Sequence, residues 1–318
     1  MKKTAPFPLF LIAACAVLWS CRDFKIVIAD QGASRYRIVK SADATPAEEQ
    51  AAIELQRYVE KISGVRIPVV TDTVPFDAFE IIIGRNAHLQ SAGAQIQWDE
   101  LAEGGYLIQT LGPTLILVGG TGKGALYAVY GLLEDHMGCC LYAPDALYLP
   151  RSKSIILGKI TDQQNPYFTW RETLHYLPNA SREYADWHKL HNREDMAREW
   201  GMWVHTFERL VPASRYYDDH PEYFGELNGM RMRDGQLCLS NADVLQVTID
   251  NLRRMMEEKP EATYWSVSQN DNYNFCTCEK CRALDQKYGS HAGSLMAFVN
   301  QVAEQFPDKV ISTLAYQY

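Results

Sequence analysis

The chain has 318 residues, of which 47% are hydrophobic and 22% charged, and its net charge is -8. That length and balance describe globular domains with a sizeable core, two of them by length. An acidic chain without a Lys/Arg-rich run excludes nucleic acid as the main partner, because phosphate binding needs a basic surface.

The sequence opens with Met1-Lys2-Lys3 and an apolar run over residues 5–20, a charged head on a short hydrophobic body. This is the pattern of a secretory signal, too short for a comfortable membrane span. Leu18-Trp19-Ser20-Cys21 looks like a bacterial lipobox in which Cys21 becomes the lipid-bearing first residue, although Trp19 is an unusual occupant of its position. An ordinary signal followed by a fortuitous cysteine is the alternative. Residues 1–21 are therefore read as a lipoprotein signal peptide and the mature protein as extracytoplasmic, in the bacterial cell envelope (periplasm or outer membrane). Membrane contact is expected only through a lipid anchor at Cys21, since no later run is long and apolar enough to span.

Residues 22–160 form the first expected domain. Strands are predicted over residues 25–29 and 36–40. Thr45-Pro46-Ala47-Glu48 then combines an N-cap, a proline at the first helical position and a glutamate placed to complete a capping box. Leu55, Val59 and Ile62 follow at helical spacing, and Gly64 supplies the stop. Further strands are expected over 66–71 and 79–83, then a hairpin of 106–110 and 114–118 turning through Leu111-Gly112-Pro113.

Gly119-Gly120-Thr121-Gly122-Lys123-Gly124-Ala125 invites a nucleotide-binding reading, because a glycine loop between a strand and a helix can cradle phosphates. The P-loop pattern fails, however: no glycine precedes Gly122 by five positions, and Gly124 stands where Ser or Thr should be. The mechanical reading is preferred, with Leu126, Val129, Leu133 and Met137 lining one helical face and Gly138 ending the helix.

The run KGALYAVYGLLEDHMGCCLYAPD resembles the last helix and exit strand of the small α/β domain that precedes the barrel in family 67 α-glucuronidases and family 20 hexosaminidases. The resemblance implies a domain that sits beside a catalytic barrel and carries no catalytic groups. Cys139 and Cys140 within this run are read as small core residues.

A strand over 154–157 and a polar linker over 161–166 close the domain. Residues 167–318 form the second. Phe168-Thr169-Trp170-Arg171-Glu172 is the expected first barrel strand, with Arg171 and Glu172 at its exit. A helical stretch with Trp187, Leu190 and Met196 follows, and then a strand over 202–205 that puts His205 at its carboxyl end, where barrel enzymes keep their active sites. Residues 206–240 make a long aromatic loop containing Tyr216 and Tyr217, of the kind that carries function. Leu245, Ile249, Leu252 and Met256 mark a buried helical face, 264–268 a third strand, Leu295, Phe298, Val299, Val302 and Phe306 the next helix, and 309–316 a fourth strand.

The third strand runs into Gln269-Asn270-Asp271 and then into Cys276, Cys278 and Cys281. A polar triplet at a strand's carboxyl end reads as substrate contact, against the plainer reading of a solvated turn. The C-x-C-x-x-C spacing is one ligand short of a closed tetrahedral site, and Cys238 is expected to supply the fourth because its segment and the cluster flank one helix and strand unit. Three outcomes stay open: a structural zinc held by Cys238, Cys276, Cys278 and Cys281, one or two disulfides as an oxidising compartment favours, or a Cys238 unrelated to the cluster.

This alternation, with WHKLHN, HPEYFGELNG, QLCLSN, SVSQND and CTCEKC in order, resembles the bacterial domain-of-unknown-function 4838 family, a glycoside-hydrolase-like barrel family. The resemblance implies a carbohydrate-active envelope protein and assigns no catalytic pair. The expected fold is thus α/β: a small sandwich-like α/β domain followed by the first half of a (β/α)8 TIM-like barrel, truncated, since four strands fall short of eight and the chain is read as a fragment.

The expected function is an O-glycosyl hydrolase, α-glucuronidase-like or related, acting on polysaccharide-derived oligosaccharides, with uronic-acid-containing glycans as the weaker specific choice. The alternative is a non-catalytic glycan-binding lipoprotein. Glycosidases use two carboxylic acids; Asp271 is the first candidate and Glu172 the second. Arg171, His205, Tyr216, Tyr217, Gln269 and Asn270 are candidates for binding hydroxyls or a sugar carboxylate, and no cofactor is expected for the chemistry.

Overall fold

The computed structural model describes residues 24–314 and 316, and the signal and lipidation readings at residues 1–21 lie outside them. The chain divides into two compact units, residues 1–190 and 191–318. Among the described residues no helix is long and apolar enough to cross a membrane.

In the first unit the capping signal at Thr45 does what its residue types require. The Thr45 side chain accepts the Glu48 N–H, the Glu48 side chain reaches back to the Thr45 N–H, and helix α1 runs Pro46–Ser63 until Gly64 adopts a left-handed conformation. Its buried face, Leu55, Tyr58, Val59 and Ile62, packs on a six-stranded sheet. The sheet comprises β2 (Arg37–Lys40), β3 (Val69–Thr71), β4 (Glu80–Ile83), β5 (Tyr106–Leu111), β6 (Thr114–Gly119) and β10 (Thr161–Gln164), in the order β10-β5-β6-β4-β2-β3. Strands β6, β4, β2 and β3 are parallel, whereas β5 is antiparallel to both β6 and β10. Ile81, Ile83, Leu115 and Leu117 face one apolar cluster and Ile82, Ile116 and Val118 the other, the period-2 alternation of a sheet covered on both sides. Strands β1 (Ile26–Asp30) and β9 (Ser154–Leu157) pair antiparallel beside it, and β7 (Cys140–Ala143) forms a hairpin with β8 (Ala146–Tyr148).

The glycine loop is mechanical. It leads into helix α2 (Gly124–Gly131), and a Cβ on Gly119 would lie 2.1 Å from the backbone carbon of Gly124, so only glycine permits that approach. Lys123, which a P-loop would aim at phosphate, makes an ion pair with Asp186 at 2.6 Å.

Two expectations need correction here. Residues 161–164 are not linker but the edge strand β10; their side chains are too polar to show an apolar alternation, and the strand forms because the free edge of β5 offers it backbone partners. Residues 168–172 are not a strand. The Arg171 guanidinium donates to the carbonyls of Phe168 and Thr169 and to Lys189 O, folding the segment on itself in place of a sheet partner. Helix α3 (Arg182–Trp187) also belongs with this unit: Trp187 is fully buried against Tyr58 and Tyr130.

In the second unit three parallel strands, β11 (Trp200–Met202), β14 (Tyr264–Ser266) and β15 (Val310–Ser312), form a sheet with β14 in the centre. Among the described residues this parallel sheet therefore has three strands where four were expected. Helix α4 (Ala242–Glu258), N-capped by Asn241, precedes β14; α5 (Glu279–Tyr288) and α6 (Ala292–Ala303) lead from β14 to β15. Val244, Ile249, Leu252 and Met256 of α4 and Leu295, Phe298, Val299 and Val302 of α6 build the core with Trp265. Gly201 makes room for that indole, since a Cβ there would stand 2.3 Å from the ring. Residues 206–240 are not a free loop: short helical turns and the two-residue strands β12 (Glu226–Leu227) and β13 (Met230–Arg231) pack them against the core.

Candidate functional site

Parallel strands joined by helices send their carboxyl ends to one edge of the sheet, and in this unit the polar residues that follow the three strands meet there. Beyond β11 the chain stays alongside the exit of β14 through side-chain bonds. The Thr206 hydroxyl donates to Ser266 O at 2.9 Å and accepts the Ser268 N–H at 3.0 Å, while the N–H groups of Thr206 and Phe207 both donate to Ser268 O. His205, beside Thr206, has a φ of 54°, in the left-handed region that few non-glycine residues occupy. His205 Nδ1 lies 2.8 Å from Gln269 O. A carbonyl only accepts, so Nδ1 carries the proton and Nε2 is the acceptor of the neutral ring.

On the other side of β14, Tyr316 follows β15. Its hydroxyl donates to Asp271 Oδ1 at 2.7 Å, and its ring lies 5.9 Å from that of His205. Gln269 fixes this tyrosine's backbone, donating to Tyr316 O at 3.0 Å and Leu314 O at 3.4 Å, and is itself only 1% exposed. The exits of the three strands thus bring an imidazole, a carboxylate and a phenol together.

Gln269 and Asn270 were expected to meet substrate, and the structure uses both as supports. The Asn270 side-chain amide donates to Gly235 O at 3.0 Å, and its backbone N–H donates to Gln236 Oε1 at 2.9 Å. Gln236 Nε2 returns bonds to Asn270 O at 2.8 Å and Asn272 O at 2.9 Å, and the Gln236 N–H donates to Asn274 O. One buried glutamine therefore fastens the strap over residues 225–240 to the loop that carries Asp271. Neither Gln236 nor Tyr316 was picked out from the sequence. Gln236 stands two residues before Cys238 in the QLCLSN run, which was the available signal.

The strap and the loop meet again at the cysteines. The ligand atoms of Cys238, Cys276, Cys278 and Cys281 all lie within 4.8 Å of one another in a buried cluster of their own. Cys238 and Cys278 are 3.8 Å apart, far beyond a disulfide bond of about 2.05 Å. All four thiols are free. The Ser240 hydroxyl sits 3.2 Å from Cys281 Sγ and 3.7 Å from Cys238 Sγ and Cys278 Sγ, and the Glu226 N–H donates to Cys276 Sγ at 3.3 Å. Hydrogen bonds from Cys276, Cys281, Ser240 and Arg231 hold the Cys238 thiol below its usual range, while its bond to Cys238 pushes the Cys276 thiol up. Softness, number and spacing of these donors suit a tetrahedral metal ion.

The other expected site residues lie elsewhere. Arg171 and Glu172 belong to the first unit, where Arg171 braces the chain turn already described and burial raises the Glu172 carboxyl above its ordinary value. Tyr216 and Tyr217 pack on the second core; the Tyr217 hydroxyl donates to Arg231 O at 2.7 Å, so the pair supports the strap.

Two family models match the chain. One, described as "Glycosyl hydrolase family 67 N-terminus", covers residues 29–132, and the other, described as "Domain of unknown function (DUF4838)", covers residues 141–318. No curated protein matches. Among solved structures, a family GH20 exo-β-N-acetylglucosaminidase from Vibrio harveyi is similar at 12% identity and a TM-score of 0.40, over 92% of this chain and 52% of that one. A β-N-acetylhexosaminidase from Bacteroides fragilis matches at 10% identity and 0.41, over 92% and 63%. A family GH115 4-O-methyl-α-glucuronidase with specificity for decorated arabinogalactans matches at 12% and 0.42, over 91% and 42%. The chain spans about half the length of these structures.

Proposed function

The chain belongs to the family described as Domain of unknown function (DUF4838), and from that premise we propose a carbohydrate-active protein whose second unit carries part of a glycoside hydrolase active site. The observation that carries this reading is the convergence of His205, Asp271 and Tyr316 at the carboxyl ends of three parallel strands. We read those strands as an arc of a (β/α)8 barrel, in which that edge is the active-site mouth. The match of residues 29–132 to a glycoside hydrolase N-terminal domain supports the same class.

Asp271 is the catalytic carboxylate of this proposal, and Tyr316, bonded to it, is the group that positions and polarises it. His205 Nε2 is an acceptor suited to a sugar hydroxyl. The substrates are polysaccharide-derived oligosaccharides, with uronic-acid-containing glycans the specific choice. The mature protein is placed in the cell envelope with a lipid on Cys21, so Cys21→Ser should move it from the membrane fraction to the soluble one.

The deciding experiment screens released sugars with the full protein and its Asp271→Asn variant. Turnover should fall about 10²- to 10⁴-fold, the usual worth of a positioned acid or base, with affinity retained. If the unaltered protein binds uronic-acid-bearing and neutral oligosaccharides and releases no sugar from either, the protein is a glycan-binding lipoprotein and the hydrolase reading is lost.

A further inference from the structure

We infer that Cys238, Cys276, Cys278 and Cys281 form a closed structural zinc site that locks the strap over residues 225–240 to the loop bearing Asp271. The donor set fits the ion. Zinc bound tetrahedrally by four thiolates at about 2.3 Å sets its sulfurs roughly 3.8 Å apart. Cys238 and Cys278 stand at 3.8 Å, and the whole set lies within 4.8 Å.

The surroundings fit as well. A tetrathiolate zinc site carries two net negative charges, which need hydrogen-bond donors and a cation nearby. The Glu226 N–H, the Ser240 hydroxyl and the Arg231 guanidinium beside Cys238 supply them. An open cleft lined by Glu222, Arg231, Ser240 and Lys280 reaches Cys238 and Cys278 and gives an ion a way in. Binding takes all four sulfurs as thiolates and releases to solvent the protons of those that were still thiols.

The ligands also come from segments that need a clamp. Cys238 belongs to the strap, Cys276 and Cys278 to the loop after β14, and Cys281 to the first turn of α5. Gln236 ties strap and loop at the end near Asp271, and the cysteines tie them at the other. With both fasteners the backbone between Asn270 and Cys276 is held from two ends, which makes the metal a positioning element rather than a participant in chemistry.

Elemental analysis of the full protein, purified without added metal, should find about one zinc per chain. Titration with an organomercurial should release that zinc as the four thiols are consumed. Cys238→Ser and Cys281→Ser should each abolish retention, while Cys140→Ser, in the first unit, should leave it intact. Because a variant can fail to fold, the unaltered protein exchanged into cobalt gives a second reading: thiolate-to-cobalt charge-transfer absorption and the visible bands of a tetrahedral ion are expected. Removing zinc should speed proteolysis within residues 225–240 and 270–281 and leave the first unit's cleavage unchanged. Metal-free, stable protein with a disulfide at Cys238 overturns the inference, as does iron in place of zinc, or zinc that survives Cys238→Ser.

Discussion

In the first unit β4 and β6 send alternate side chains into two apolar clusters, and α1, α2 and Trp187 close one of them. In the second, the segments that carry the candidate site are joined by hydrogen bonds of Gln236 and Thr206, and the four cysteines cluster between them. A fully buried aliphatic side chain contributes about 1.5–3 kcal/mol, whereas a hydrogen bond nets about 0.5–1.5 kcal/mol. The first unit is therefore held by many apolar contacts, each worth more than a single hydrogen bond. The strap and loop have few such contacts and depend on particular fasteners acting together, which is what a surface left open to a polar ligand requires.

The sharpest way to break this contrast is in the first core. Trp187→Ala removes a fully buried indole from between Tyr58 and Tyr130 and should cost about 3–5 kcal/mol in denaturant unfolding of the first unit. Zinc content should be unaffected. A loss below about 1 kcal/mol would mean that residues 182–187 do not belong to that core.

A smaller effect is expected from the strap. Gln236→Ala leaves the Asn270 N–H without its acceptor and should cost about 1–3 kcal/mol. Hydrogen exchange should quicken at residues 270–274 while the strands of the first unit keep their protection. Uniform exchange in both units would show that the loop is ordered by the core after all.

The smallest effect concerns a polar fastener within the first unit. Burial alone would raise the Glu183 carboxyl, but bonds from the Tyr58 hydroxyl at 2.7 Å and Arg57 Nη2 at 2.5 Å, with the Arg57 charge, hold it below its ordinary range. A carboxyl lowered in the folded state contributes stability that is present above its unfolded value and lost as pH falls through its folded one. Glu183→Gln should therefore flatten the acid limb of the stability profile and leave the profile above the ordinary glutamate range parallel to that of the unaltered protein. An acid limb as steep as before would assign that pH dependence to other carboxyls.

What could be read without the structure was whatever is local in the chain. The capping box at Thr45 and Glu48, the stop at Gly64, the apolar runs that become β4 and β6 and the apolar faces of α4 and α6 depend on neighbours a few residues away, so the local sequence reveals them. The misses share a cause. Residues 161–164 become a strand only because β5 has a free edge, and residues 168–172 fail to become one because Arg171 reaches carbonyls at Phe168, Thr169 and Lys189.

The candidate site divides the same way. Asp271, His205 and the four cysteines were legible because a strand exit and a thiolate spacing are features of short segments. Tyr316 and Gln236 were not, because each matters through partners 45 or 34 positions away. By itself the sequence determined which residues were available at the carboxyl ends of the strands and that the cysteines could converge. Only the tertiary structure decided that Gln269 and Asn270 turn inward to brace the backbone, leaving Asp271, Tyr316 and His205 as the cluster. The physical reason is that a buried amide N–H needs an acceptor within the fold, and which carbonyls come within its reach is settled by chain pairing, not by spacing.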